Sequence, residues 1–175
     1  KEAEDVLEKA KRLLKRSDEV VEEANDESRR LLDKIRKLVD TVNEESKRLL
    51  DRVRELREAG TDKKDVKKIL EDIVRRSEEM VERVERLLRE VVERSRELVE
   101  RVHELNKEIL ERIRREVEDK DAVRDVEREV RRSSKRLKEL HEEDKRRVRK
   151  ILERLKRLHE KDRRDLEKVM KEVED

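Results

Sequence analysis

His141 and Asp144 stand three residues apart, and His159 and Asp162 repeat that spacing eighteen residues later, in the near-duplicate segments LHEEDKRRVRKILERLKR and LHEKDRRDLEKVMKEVED. On an α-helix, residues three apart share a face. Each pair could therefore present an imidazole and a carboxylate together. With further strong ligands such a pair could hold zinc, with a nucleophilic serine it could form a hydrolytic relay, and in a closed core it could anchor a hydrogen-bonded layer. Which of these applies depends on what the other elements bring to the same place.

The residues available to join them are small and polar: Ser17, Asn25, Ser28, Asn43 and Ser46 in the first third of the chain, Ser77, Ser95, His103 and Asn106 in the second, and Ser133 and Ser134 in the third. Most of them lie in eighteen-residue near-repeats. ANDESRRLLDKIRKL at 24–38 returns as VNEESKRLLDRVREL at 42–56, and SEEMVERVERLLREVV at 77–92 returns as SRELVERVHELNKEIL at 95–110. Eighteen residues are five turns of an ideal helix at about 3.6 residues per turn, so the repeat predicts long, nearly straight helices with interruptions at fixed positions.

Composition agrees. The chain has 175 residues, 59% of them charged, with one glycine and no proline, cysteine or aromatic residue. That profile belongs to long helices and coiled coils rather than ordinary globular domains. Disorder would go with a large net charge, whereas 53 basic residues nearly cancel 51 acidic ones.

Periodicity decides the class. Stepped around a helical wheel, Val6, Leu7, Leu13, Leu14, Val20, Val21, Leu31, Leu32, Ile35, Leu38 and Val39 occupy one arc of about 140°, and Leu49, Leu50, Val53 and Leu56 remain in it. Residues 66–92 give a second arc of similar width, and 126–173 a third of about 120°. Gly60 suits a helix C′ position, with Thr61 or Asp62 capping the next helix. A phase jump between Val117 and Val123 places a second turn near 118–121, with Asp119 or Asp121 as cap. The fold class expected is all-α, an elongated antiparallel up-down-up three-helix bundle in one domain spanning 1–175. Its helices run over about 2–58, 62–117 and 121–174. Arcs of this width suit a helix facing two neighbours, which favours a closed bundle over one with a large unfilled groove.

Antiparallel pairing about turns near 60 and 119–120 sets residue heights. Asn43, Ser46, Ser77, His159 and Asp162 fall level; so do Asn25, Ser28, Ser95, His141 and Asp144; and so do Ser17, His103, Asn106, Ser133 and Ser134. Three hydrogen-bonded layers are expected, because a buried polar group left unpaired costs about 1–3 kcal/mol. A slipped register would leave all of them unsatisfied. The alternative is that Asp144 and Asp162 sit at a solvated boundary, since Asp is almost never fully buried unpaired.

This company settles the chemistry of the His/Asp pairs. Serine and asparagine are poor zinc ligands, so no metal and no cofactor are expected. A Ser, His and Asp set lacks any glycine-containing elbow or oxyanion hole in a core of Leu, Ile and Val, so no catalytic residues are expected and the chain is not read as an enzyme. Interleaved Lys/Arg and Glu/Asp argue against nucleic acid, and the absence of an aromatic anchor or long apolar run argues against a membrane. No small-molecule partner is expected. The chain reads as soluble, with no natural localisation and a cytoplasmic one on recombinant expression.

The near-identical eighteen-residue units, the surface of Glu, Lys, Arg and Asp, the Leu/Ile/Val core and the aligned Ser, Asn, His and Asp layers together resemble de novo designed helical bundles with buried hydrogen-bond networks, over the full chain. Asp in the core departs from the usual Ser, Asn or Gln. The resemblance implies a structural scaffold without evolved activity, monomeric, whose layers specify pairing and register. The alternative is an interaction module that forms a homo-oligomer or takes a designed helical partner to complete a larger bundle. The histidines open two outcomes for pH: imidazolium held by a neighbouring Asp would tolerate mild acid, and a buried neutral imidazole would not.

Overall fold

The computed structural model describes residues 2–174, which form three helices: α1 (Glu2–Glu58), α2 (Lys63–Glu116) and α3 (Lys120–Glu174). They pack as an antiparallel up-down-up three-helix bundle. Each helix begins and ends for local reasons. At the end of α1, Gly60 adopts φ 83°, Gly60 N–H donates to Arg57 O and Thr61 N–H to Leu56 O. This is the Schellman arrangement, which satisfies carbonyls that the last turn would otherwise leave open. Asp62 caps α2 by accepting from Lys64 N–H at 3.3 Å, and Asp119 caps α3 by accepting from Asp121 N–H at 3.0 Å. Asp119 rather than Asp121 is thus the cap, and the second turn occupies residues 117–119.

The small displacement of that turn matters for register. Contacts between α2 and α3 are displaced by three residues from the pairing expected from the sequence: Ser95 meets His141 rather than the level of 144, and Ser77 meets His159 rather than the level of 162. Partners on α1 and α3 differ in number by 114 or 115, as in Arg136–Glu22 and Arg57–Glu172, where turns at 60 and 119–120 imply 119. The earlier second turn, centred on residue 118, brings the expected offset to 116 and so accounts for three of these four to five residues.

The chain forms two compact units, Lys1–Arg30 with Glu90–Arg146 and Leu31–Arg89 with Arg147–Asp175. Each contains a segment of all three helices. In the first, Ala10, Leu14, Ile113, Val117, Val126 and Val130 form one apolar cluster, and Val21, Val102, Leu137 and Leu140 form another. In the second, Leu50, Val53, Val66, Leu70, Ile73, Leu166, Val169 and Val173 pack together. Burying a side chain such as Leu70 fully contributes about 1.5–3 kcal/mol, so these clusters dominate cohesion.

The bundle is less closed than the arc widths suggest. Leu13, Val20, Leu31, Leu38 and Leu49 on α1 and Leu105 on α2 are exposed, Leu13 by 54% and Leu105 by 52%. The α1 residues share one row, displaced by about 80° from the buried centre of the arc. In each unit one edge of α1's arc therefore faces outward.

Candidate functional site

In the first unit, the segment separating the two clusters carries Ser17, His103, Asn106, Ser133 and Ser134. Ser133 Oγ donates to Asp18 Oδ1 at 2.6 Å, joining α3 to α1, and Ser134 Oγ stands 3.5 Å from His103 Nδ1, joining α3 to α2. Asn106 is 1% exposed, yet neither its Oδ1 nor its Nδ2 has a hydrogen-bond partner, and the buried Oγ of Ser17 has none either. Two links are thus built, while Asn106 and Ser17 stay outside them.

Asp18 takes part without having been singled out from the sequence. Its place at the edge of the apolar arc hides it on the wheel. The α1–α3 offset of 115 puts it level with Ser133.

The second group in this unit is better connected. Ser95 Oγ lies 2.7 Å from His141 Nδ1 across the α2–α3 interface. Asp144, one turn along α3 from His141, is buried, as is Asn25 on α1, whose Oδ1 has no hydrogen-bond partner. Ser28 is half-buried. His141 has its pKa lowered, first by burial and then by Lys145, with Arg96 adding to the effect and Glu142 and Asp144 opposing it. Burial outweighs the carboxylates, so the imidazole is favoured neutral near pH 7. A neutral ring carries one N–H, and serine can donate or accept, so the Ser95–His141 bond is satisfied in either tautomer.

The second unit repeats the pattern more loosely. Ser77 Oγ stands 3.4 Å from His159 Nδ1. Ser46 and Asp162 are buried and Asn43 is half-buried, with no hydrogen-bond partner for Asn43 Oδ1 or Asp162 Oδ1. The Asp162 pKa is raised, by burial first and by Asp165 second, against the pull of His159, Lys47 and Lys161. Both core carboxylates are therefore inside rather than at a solvated boundary.

Among the described residues no group of three or more His, Cys, Asp and Glu is placed to hold a metal ion. Each histidine meets a serine on the facing helix, and Ser77 of the Ser77–His159 pair also lines a cleft between α1 and α2. Among the described residues no helix is long and apolar enough to cross a membrane.

Ion pairs frame the layers unequally. Arg29–Glu143, Arg57–Glu172, Arg136–Glu22 and Arg154–Asp40 join α1 to α3. Lys67–Glu174 and Arg114–Glu127 join α2 to α3. Among the described residues no ion pair or side-chain hydrogen bond joins α1 to α2.

No family model matches the chain, and no curated protein matches it. Among solved structures it is similar to one described as "Computationally designed three helix bundle", at 15% identity and a TM-score of 0.49, covering 98% of this chain and 86% of that one.

Proposed function

We propose that the chain is a designed helical scaffold with no reaction of its own, in which the Ser, Asn, His and Asp layers specify which helices pair and in what register. The observation that carries this reading is the placement of the Ser–His bonds. Ser95–His141, Ser77–His159 and Ser134–His103 all cross the same α2–α3 interface. Moving α3 by one turn against α2 would separate every one of them; all six groups are half-buried, so each loss costs at most the lower part of the roughly 1–3 kcal/mol that a fully buried orphan costs. The duplicated eighteen-residue units and the surface built from four charged residue types support a designed origin. Light scattering over a hundredfold concentration range tests the self-contained form of the reading. A constant 21.4 kDa species is expected, and a mass that rises with concentration would overturn it.

A second reading is favoured by the outward edge of α1. Large apolar side chains scattered singly on a surface need no explanation, but a row along one helix face marks an interaction site. On this reading the scaffold is also an interaction module that accepts a further helix.

A further inference from the structure

We infer that the cleft between α1 and α2 in the first unit is a docking groove for an amphipathic helix from another chain, one with an apolar stripe flanked by acidic residues. This rests on the interaction-module reading and names its partner. The cleft, about 220 Å³, has Leu13 and Leu105 at its lips and Val6, Ala10, Ile109 and Ile113 along its walls. Its two most prominent residues are the most exposed large apolar residues of the bundle. Ser17, whose buried Oγ lacks a hydrogen-bond partner, lines the same cleft. A helix laid here would cover both leucines and could offer Ser17 a polar side chain.

Charge selects the kind of helix. Stepping around α2 at about 100° per residue, the row beside the apolar edge in this unit is Arg94, Arg101 and Arg112. On α1 the rows beside the edge carry Lys9 and Arg16, with Glu27 further along. The groove's own two helices therefore confront each other mainly with like charge. Glu108 also lines the cleft, but its row lies outside the arginines. Arg112 already pairs with Glu116 at 3.4 Å, so acidic flanks on an incoming helix would meet chiefly Arg94 and Arg101 on one side and Lys9 and Arg16 on the other. A second copy docking through the same groove would bring its own arginine row against them, which is unfavourable. The cleft between α1 and α3 in this unit differs: it is lined by Glu22, Asp18, Ser133 and Arg136, which already pair with one another across it.

The test uses the full chain and two synthetic helical peptides of about 28 residues, eight turns. Both carry the same Leu/Ile stripe, one with Glu and the other with Lys at the flanking positions. Binding is read by fluorescence anisotropy at low and high salt. The proposal expects the Glu-flanked peptide to bind at least about tenfold more tightly at low salt, an advantage that shrinks at high salt. It also expects Leu13→Glu with Leu105→Glu to abolish binding while leaving the circular dichroism and denaturation midpoint of the chain unchanged, since both residues are exposed. Equal binding of the two peptides would overturn the acidic partner but leave the groove standing. No binding of either would overturn the groove as well. A mass that doubles with concentration and reverts in the double variant would overturn the partner in favour of a second copy.

Discussion

Ser95 Oγ and His141 Nδ1 lie 2.7 Å apart across the α2–α3 interface, the shortest of the three Ser–His bonds there. Because burial favours the neutral imidazole, this is a bond between two uncharged groups. Its value lies in what its loss would leave behind. Ser95→Ala orphans a half-buried ring nitrogen and should destabilise by about 1–2 kcal/mol in a urea titration. Ser77→Ala, which removes a 3.4 Å contact, should cost less. Equal costs would mean that the distances do not rank the bonds.

Acid should weaken the fold through His141. Its folded pKa is lowered from 6.5, so the unfolded chain takes up the proton first as pH falls. Its contribution is complete above the unfolded value and is lost as pH drops below it. The groups facing it are Lys145, Glu142 and Asp144 on α3 and Arg96 on α2. The urea midpoint should be lower at pH 5.0 than at 7.5, and His141→Asn should flatten that difference. The sequence left two branches open here, and the environment of His141 selects the acid-sensitive one.

Asp162 carries the opposite sign. Burial raises its folded pKa above 3.8, so its charged form is penalised in the fold at neutral pH, and acidification through the folded value relieves that penalty. Asp162→Asn should raise the midpoint at pH 7.5 and have little effect near pH 3.5. A loss of stability at pH 7.5 would show that the carboxylate is held by favourable contacts that outweigh its burial.

Asn106 is buried at 1% exposure with both amide atoms unpartnered. Replacing an unsatisfied buried amide with an apolar side chain of similar size removes a desolvation cost, so Asn106→Leu should stabilise by about 1–2 kcal/mol. Thermal or urea denaturation reads this directly, and a destabilised variant would mean that the amide is paired.

Gly60 gives a purely backbone prediction. A Cβ there meets nothing within 4 Å, but φ is +83°. Gly60→Ala should therefore cost about 1 kcal/mol from conformation alone, measurable as a midpoint shift with an unchanged slope.

The three-helix bundle was legible because apolar periodicity is a property of each helix separately. Gly60 and the phase jump after Val117 marked the turns for equally local reasons. Register was harder. It depends on where a turn is centred: a displacement of one to two residues in the second turn gives about three of the four to five residues by which the α1–α3 offset moved from 119 to 114 or 115, a shift that hid Asp18. The outward row of Leu13, Val20, Leu31, Leu38 and Leu49 was hidden differently. A wheel gives the width of an apolar arc but not how much of it two neighbours can reach.

The central claim is that the polar layers choose the pairing of the helices, at some expense in stability. It is tested most directly by replacing all fifteen layer residues, Ser28, Ser46, Ser133, Ser134, Asp144 and Asp162 included, with Leu, Ile or Val, and measuring mass by light scattering alongside urea denaturation. The account predicts that the starting chain stays a single 21.4 kDa species, while the layer-free chain resists urea better but distributes over several masses. A layer-free chain that remains one sharply defined monomer with the same helix pairing would contradict it.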